Sequence, residues 1–528
     1  MQPAAAHQIL TAGPWNPGLE SAIPAELRPL TTLLRPENVA TTFAEARELR
    51  DLTGLGWCDV VAFRPSRLAL HEVLIRVSAD LAVPDLGRVE DLGIQFRAMT
   101  RRLLAHMQPR MAELEALHRQ ARDDMHAFAS RTLAGLDPDH AAAGAVEWTT
   151  ASRPNALEQA TLRALGIVAS AILVKHGRLW GPRQVIASLA ATIAGNAYGS
   201  EAIGRALDPW FREAARAEGY AELPPQQSPI VMNTKGASAS GKTTIRPLQR
   251  RLAREIGADW SQFALVSPDI WRKQLLDYAS LGEAFRYAGS FTGEELRIVD
   301  QKLDAHMARK SHAGRMSHLL IDRFRFDSFA AHSDEAGSNL LTRFGRVVYL
   351  FFMVTHPASL VQRAWNRGEE VGRYKAVDDT LAHAVEAYNG MPELFFTWIQ
   401  RRDKRVHFEF LDNEVPAGER PLTAAYGWND TLTILDAKPL IDVARYRRID
   451  VNARSPEALF PNASLLADEH NRGFLDECLR RFARVRYADR ATLRVTRIVE
   501  NGGERSVDEP LREEDRRQTV GRWRADEA

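Results

Sequence analysis

Eight consecutive residues, 236–243, read GASASGKT and match the pattern G-x-x-x-x-G-K-S/T at every fixed position. In this pattern the glycines let backbone N–H groups surround a phosphate. The lysine neutralises charge near the β- and γ-phosphates, and the final hydroxyl binds magnesium. The segment therefore predicts a loop that binds ATP or GTP together with Mg²⁺. The predicted ATP-binding residues are Gly236, Ala237, Ser238, Ala239, Ser240, Gly241, Lys242, Thr243 and Thr244, and Thr243 is also a predicted magnesium ligand.

The sequence on either side of this loop has the context that the motif needs. A short apolar run at 229–233 predicts a buried strand before it. After it, Ile245, Leu248, Leu252 and Ile256 recur at helical spacing, and Gly257 marks the end of that helix. A strand, loop and helix in this order favour a phosphate-binding loop over a linker rich in Gly and Ser.

Two acidic residues follow later predicted strands. Asp269 comes after the apolar run 263–266, and its carboxylate is a candidate catalytic base for an acceptor hydroxyl. Asp322 ends the run 319–321 and is a candidate second magnesium ligand. Each aspartate also has a structural alternative to a role in catalysis. Asp269 can cap a helix that starts at Ile270, and Asp322 can serve as a simple cap next to Arg323.

Three arginines lie in the polar segment 363–374, after the fourth predicted strand. Arg367 and Arg373 are candidate catalytic residues, together with Lys242, because a guanidinium donates paired hydrogen bonds to phosphate and stays charged. Arg363 belongs to the same set. Glycines at 368 and 372 predict a mobile lid that brings these arginines to the γ-phosphate. The alternative for each arginine is the solvated face of a basic helix.

The elements that must position these residues belong to an α/β domain. Apolar runs near residues 230, 263, 319, 347 and 406 alternate with helical stretches, which predicts five parallel strands with helices on both faces, and a sixth run at 431–435 predicts an edge strand or hairpin. The predicted organisation is a flexible arm over 1–35, a mostly α-helical domain over 36–225, a P-loop kinase domain over 228–445, and a C-terminal helix with a mobile charged tail over 446–528.

Composition limits the classes of partner. The chain has 69 Lys and Arg against 68 Asp and Glu, so it carries no strong nucleic-acid signal. Its two cysteines give no disulfide framework, which fits a reducing compartment. The start lacks a secretory signal, and the most apolar run, 165–174, is about half of a membrane span. We expect a bacterial cytoplasmic protein with no membrane segment, or one that is delivered into a host cell.

These motifs together resemble the zeta-toxin group of P-loop kinases over roughly residues 228–412. The resemblance rests on the loop 236–243, on Asp269 followed by Ile270 and Arg272, and on the segment 372–374. It implies that the loop binds ATP or GTP, that Asp269 is the catalytic base, and that Arg367 and Arg373 contact the transferred phosphate. Members of the group phosphorylate a sugar hydroxyl of UDP-N-acetylglucosamine. A branch among plant-pathogen effectors phosphorylates NAD, and the lead-in Thr234-Lys235-Gly236 and the wide interval between the loop and Asp269 favour that branch.

The leading hypothesis is an ATP- and Mg²⁺-dependent kinase for a hydroxyl of a small, nucleotide-linked metabolite. The resemblance also implies a toxin or effector, with an antitoxin or chaperone as a protein partner. A polynucleotide 5′-hydroxyl kinase and a non-kinase NTP-binding interaction protein stay open as alternatives. The insertion between Trp271 and Ser317 is the expected place for the acceptor, and its aromatic residues, Tyr278 among them, either stack on a base or sugar or pack in a core.

Overall fold

The fold is built on one ten-stranded sheet. The computed structural model describes residues 12–84, 91–136, 141–323, 340–416, 418–500 and 503–524. The chain has an α/β architecture in which five of the nine neighbouring strand pairs are parallel. The strands are β1 (Ile230–Lys235), β2 (Phe263–Val266), β3 (His318–Asp322), β4 (Val347–Val354), β5 (Arg405–Asp412), β6 (Leu422–Trp428), β7 (Thr431–Ile434), β8 (Arg484–Asp489), β9 (Arg494–Glu500) and β10 (Gly503–Pro510).

The parallel half of the sheet confirms the five predicted strands. The spatial order of the whole sheet is β10-β9-β8-β7-β6-β5-β4-β1-β3-β2, and strands β1 to β5 pair in parallel throughout. The predicted run at 431–435 is β7, which forms a hairpin with β6 and lies inside the sheet rather than at its edge.

Helices cover both faces of the sheet and form a large region before it. They are α1 (Phe43–Thr53), α2 (Trp57–Val60), α3 (Pro65–Asp80), α4 (Asp91–Met107), α5 (Met111–Ala134), α6 (Ala141–Thr150), α7 (Ala156–His176), α8 (Arg183–Ala194), α9 (Ser200–Ala217), α10 (Arg246–Glu255), α11 (Arg272–Leu275), α12 (Ala288–Phe291), α13 (Gly293–His312), α14 (Pro357–Val371), α15 (Val377–Ile399), α16 (Lys438–Tyr446), α17 (Gly473–Arg481) and α18 (Glu513–Arg517).

Adjacent residues of the central strands belong to separate cores. Val231 of β1 packs in a core with α3, α13 and α15, whereas Met232 packs with Leu252 of α10 in the core on the other face. Alternation of this kind is expected when a strand is covered on both sides.

The N-terminal helical region shares its core with the sheet. Residues 67–79 of α3 are all buried, and this helix contacts α9 in its own region as well as α13 and β2 beyond residue 225. One apolar cluster runs without a break from Leu33 through the helical region to strands of the sheet. A helix that is buried on all sides needs packing partners on every side. The partners of α3 come from the N-terminal helical region and from the region after residue 225.

The C-terminal part differs from the predicted helix and mobile tail. The predicted helix is α17, but the residues after it form β8, β9 and β10, which extend the sheet from β7. Thr519–Trp523 then returns to the core, where Trp523 is 2% exposed and stacks on Tyr426 at 5.4 Å. These strands are half exposed and rich in Arg and Glu, so their sequence has the composition of a solvated tail.

The predicted flexible arm also differs where it is described. Residues 1–11 lie outside the described residues. From residue 12 onward the segment packs against the insertion between β2 and β3, where Arg286 donates to the Pro17 carbonyl at 2.8 Å and Thr32 N–H to the Phe291 carbonyl at 3.0 Å. Leu27 and Leu30 join the small apolar cluster of that insertion, which explains the order of this Pro-rich segment.

One helix in the described part of the chain, α7, is long and apolar enough to cross a membrane. Its most apolar window is 44% buried, mainly against α6 and α8. A core helix of a soluble protein passes the same test of length and composition, so α7 is weak evidence for a span.

Candidate functional site

Residues that end the parallel strands meet along one edge of the sheet. β1 and β4 are neighbours, but the chain leaves β1 toward β2 on one side and leaves β4 toward β5 on the other. In open α/β sheets, the crevice at such a switch point is where ligands bind. The loop 236–241 follows β1 at this crevice, and Asn413 follows β5 nearby, where its side-chain amide donates to the Ser240 carbonyl at 2.8 Å.

Both fixed glycines of the loop are required by close contacts. A Cβ on Gly236 would lie 2.5 Å from Ser240 Oγ and 2.9 Å from Met353 Cβ. A Cβ on Gly241 would lie 2.4 Å from Asn413 Nδ2, and Gly241 has φ +88°. Ala239 also has a positive φ, of 64°. The loop therefore has a tight, left-handed conformation that side chains at 236 and 241 would not allow.

Lys242 lies over this loop at the start of the helical segment. Its Nζ donates to the carbonyls of Gly236 at 3.0 Å and Ala237 at 2.9 Å. A 3-10 turn, Lys242–Ile245, leads directly into α10, which confirms the predicted helix after the loop. Thr243 is partly buried at the start of this turn, while the Thr244 hydroxyl donates back to the Gly241 carbonyl at 2.6 Å.

Four of the predicted residues act electrostatically on the Lys242 ammonium. Burial lowers the pKa of Lys242, the carboxylates of Asp322 and Asp269 raise it, and the guanidinium groups of Arg367 and Arg373 lower it. Residues that follow β2, end β3, and lie in or just after α14 thus act on one ammonium. The predicted catalytic and metal-binding side chains are brought to a single cleft.

Asp269 is held by two arginines in this cleft. Arg272 Nε lies 2.9 Å from its Oδ1, and Arg373 forms an ion pair with its Oδ2. The Asp269 side chain is 47% exposed, but the rest of it is buried, and burial raises its pKa. The two arginines outweigh this effect and hold the pKa of Asp269 well below the usual value. Arg272 is itself fixed by the Gly289 carbonyl and the Thr292 hydroxyl. Asp269 is thus a charged acceptor for hydrogen bonds, and its side chain bonds these arginines instead of capping a helix.

The segment predicted as a mobile lid is mostly a helix. Residues up to Val371 belong to α14, which ends at Gly372 with φ +71°. Gly368 serves packing, since a Cβ there would lie 2.3 Å from the Tyr374 ring. The structure thus gives this segment a helical conformation up to Val371, and its mobility stays a prediction.

The three arginines of this segment have different roles. Arg363 Nη2 donates to the Asn413 carbonyl at 2.7 Å and fixes the strand end behind the loop. Arg367 and Arg373 face Asp269 instead, and Arg367 Nε lies 3.4 Å from the Arg373 carbonyl. Burial and the charge of Arg373 lower the pKa of Arg367 to about 9. The cleft thus concentrates positive charge opposite the loop.

Asp322 and Thr243 were the predicted ligands of a magnesium ion. Asp322 ends β3 in register with Thr234, two residues before the loop, and its Oδ2 lies 3.7 Å from Arg246 Nη2. Arg323 pairs with Asp300 and Asp304 instead. Within the described residues, no group of three His, Cys, Asp or Glu side chains forms a closed metal site. Mg²⁺ at phosphate sites uses one or two protein oxygens and the phosphates themselves, and one hydroxyl with one carboxylate suits this mode.

Sequence reasoning missed Lys375 and gave Tyr278 no definite role. Lys375 lies between Asp379 and His383, and burial lowers its pKa to about 7 while the charge of Asp269 raises it. The Tyr278 ring lies near Asp269, Arg272 and Arg373, and burial raises the pKa of its hydroxyl. Lys375 directly follows the segment 372–374, on which the resemblance rests in part. Its position two residues after Arg373 was the signal that the sequence offered.

Comparison of the chain with protein-family models, with curated proteins and with solved structures found no match in any of the three.

Proposed function

We propose that this protein is a kinase that transfers the γ-phosphoryl group of ATP or GTP to a hydroxyl of a small, nucleotide-linked molecule such as NAD or UDP-N-acetylglucosamine. The observation that carries the proposal is a cleft beside a loop of phosphate-binding sequence, in which Asp269 is ion-paired with Arg272 and Arg373 and the charges of Asp269, Asp322, Arg367 and Arg373 act on Lys242. Phosphoryl transfer depends mainly on positioning and charge stabilisation, and this cleft supplies both signs of charge.

Each side chain has a role that follows from its place. The loop N–H groups and Lys242 hold the β- and γ-phosphates. The acceptor hydroxyl oxygen attacks the γ-phosphorus, the bond to the β–γ bridging oxygen breaks, and the hydroxyl proton passes to the Asp269 carboxylate. Arg367 and Arg373 stabilise the charge that spreads over the transferred oxygens. Thr243 and Asp322 would hold Mg²⁺, which neutralises phosphate charge when it is bound.

The depressed pKa of Asp269 suits this role. In a largely dissociative transition state, the acceptor hydroxyl keeps its proton until late in the reaction. The orientation of that hydroxyl by Asp269 therefore matters more than the basicity of the Asp269 carboxylate. A carboxylate held by two arginines stays ionised and fixed in direction. The resemblance to toxins and effectors, with an antitoxin or chaperone as partner and action in a bacterial or a host cytoplasm, is part of the same proposal.

The test is a phosphorylation assay with purified full-length protein, Mg²⁺ and ATP. The acceptor panel holds NAD, UDP-N-acetylglucosamine and a 5′-hydroxyl oligonucleotide, and mass spectrometry reads the products. We expect one acceptor from the first two to gain one phosphate, and Lys242→Ala and Asp269→Asn to lose this activity by at least a factor of about 100.

Asp259→Asn is the matched control. Asp259 lies before β2, at the opposite end of the strand from Asp269, and caps a 3-10 turn at the surface. It should keep wild-type activity. Phosphorylation of the oligonucleotide alone would favour a polynucleotide kinase. ADP and free phosphate with no phosphorylated acceptor would reject the proposal in favour of an NTPase or an interaction protein.

A further inference from the structure

A cavity of about 580 Å³ opens beside the Asp269 cleft. α4 of the N-terminal helical region contributes Arg97 and Arg101 to its wall, and the insertion after β2 contributes Lys273 and Tyr278. Gly372, which precedes the Asp269 partner Arg373, completes the rim. Volumes of this size are typical of small-ligand sites.

The wall formed by α4 carries two positive charges. Arg97 and Arg101 are four residues apart, so they lie on the same face of the helix. Neither forms an ion pair or hydrogen bond with any residue that the structure describes. Burial lowers the pKa of Arg97, and the charge of Arg101 lowers it further. Two like charges on one cavity wall favour an anion between or beside them.

The part of the wall that comes from the insertion offers a buried polar atom. Tyr278 Oη is buried and has no hydrogen-bond partner among the described residues. The charges of Arg272, Arg373 and Asp269 act on this hydroxyl, and Lys273 Nζ lies 5.8 Å from the centre of the Tyr278 ring. A buried hydroxyl of this kind costs free energy unless a ligand or water completes its hydrogen bonds. The hydroxyl therefore marks the part of the cavity closest to the reacting groups.

From this arrangement we infer that α4 forms part of the acceptor site, with Arg97 and Arg101 binding a phosphate group of the acceptor while Tyr278 contacts the acceptor near its reacting hydroxyl. The inference rests on the proposed kinase function and assigns a role to the N-terminal helical region. Arginine pairs suit this task because the planar guanidinium gives two parallel hydrogen bonds to phosphate oxygens. An acceptor without phosphate would lose these contacts.

The first test is steady-state kinetics with the acceptor that the wild-type protein phosphorylates. The double variant Arg97→Ala, Arg101→Ala should raise KM for that acceptor at least about tenfold, as expected when charge-assisted hydrogen bonds are lost, and should leave KM for ATP unchanged. Arg97→Lys, Arg101→Lys retains the charge and should recover part of the loss. Arg102→Ala is the control, because Arg102 on the same helix is 63% exposed and faces Glu218.

The second test does not depend on turnover. Inorganic pyrophosphate is titrated calorimetrically into Lys242→Ala, which weakens the nucleotide loop, and into the same variant with both α4 arginines changed to Ala. We expect the second titration to show at least about tenfold weaker binding.

The outcomes separate the two proposals. An unchanged acceptor KM in an active, folded double variant overturns the inference and leaves the kinase function in place. A raised KM for ATP in the double variant would assign the arginines to the nucleotide instead. Pyrophosphate binding that needs the arginines, in a protein that phosphorylates no acceptor, supports the anion site and rejects the kinase.

Discussion

At the scale of single residues, the cleft is defined by how Asp269 is paired. Arg272 is tied to the Gly289 carbonyl and to Thr292, so it is a fixed partner, whereas Arg373 lies just after the end of α14. Phosphate oxygens attract the same guanidinium groups as a carboxylate does. Arg373 is therefore the partner of Asp269 that can be shared with the transferred phosphoryl group.

Replacing Arg373 with Gln should change the pH dependence of activity. Because Arg373 lowers the pKa of Asp269 and burial raises it, loss of the guanidinium raises the pKa. The acid limb of the kcat/KM profile should then move to higher pH, since Asp269 must be ionised to accept the proton. The pH profile of Arg363→Gln serves as the control, because Arg363 bonds backbone carbonyls. An unshifted acid limb in Arg373→Gln would contradict this pairing.

Burial of the Lys375 ammonium should reduce the stability of the protein at neutral and acid pH. Its folded pKa of about 7 lies below the usual value because the side chain is only 11% exposed. The charged form is thus disfavoured in the fold below pH 7, and this cost disappears as pH rises toward the pKa of the unfolded chain. Lys375→Met should unfold at a higher temperature than the wild type, by more at pH 6 than at pH 10. A temperature difference that does not vary with pH would show that burial of the charge is not the cause.

The sequence alone could predict the loop, Asp269, Asp322 and two of the arginines, because each is tied to a local pattern or to a strand end. Tyr278 and Arg97 could not be assigned, since their relation to Asp269 depends on how the insertion and α4 pack against each other. Arg363 and Arg367 lie on the same helix, and only tertiary contacts separate their roles.

At the scale of elements, α3 and α13 are joined by a buried ionic network. Arg67 of α3 makes two hydrogen bonds to Glu295 of α13, at 2.6 and 2.7 Å, and His71 Nε2 lies 2.7 Å from the same carboxylate. Glu295 is fully buried, and burial lowers the pKa of His71 to about 4, so His71 is neutral near pH 7. The helical region and the α/β region are thus held together by charge as well as by apolar contact.

Glu295→Gln should therefore destabilise the protein by about 3–5 kcal/mol, because it leaves the buried Arg67 without a counter-charge. The neighbouring Glu294→Gln is the matched control. Glu294 is 36% exposed and 3.4 Å from Arg28, so its loss should cost less than about 1 kcal/mol. Urea unfolding of both variants measures the difference. Equal midpoints would show that the network adds no stability.

The strands that were predicted from the sequence are the buried ones, and the strands that were missed are largely exposed. The five parallel strands β1 to β5 are mostly buried and rich in apolar residues, and all five were predicted. β8 to β10 alternate exposed charged residues with a few buried ones such as Val485 and Ile498. An exposed edge sheet has the same composition as a charged tail, so only pairing with β7 distinguishes them.

At the scale of the whole molecule, the C-terminal segment closes the core of the sheet. The backbone N–H groups of Val520 and Gly521 donate to the buried Glu409 carboxylate of β5 at 2.7 and 2.9 Å. Thr423 donates to the same carboxylate at 2.7 Å. A buried carboxylate needs such donors, and two of the three come from the last described residues of the chain.

Removal of residues 519–528 should lower the apparent Tm by several degrees, because it takes two donors from Glu409 and the Trp523 ring from its contact with Tyr426. A chain that lacks only 525–528 retains those contacts and should melt like the full-length protein. Thermal melts of the two shortened chains check this, and equal melting would show that the segment is not part of the stable core.

The burial of α3 also bears on how the chain is made. Arg67 and its partner Glu295 are 228 residues apart. At ribosomal rates of about 5–20 residues per second, the gap amounts to roughly ten to forty-five seconds. For most of that interval the newly made α3 has neither α13 nor β2 to cover it. We therefore expect α3 to be incompletely buried until β2 and α13 leave the ribosome.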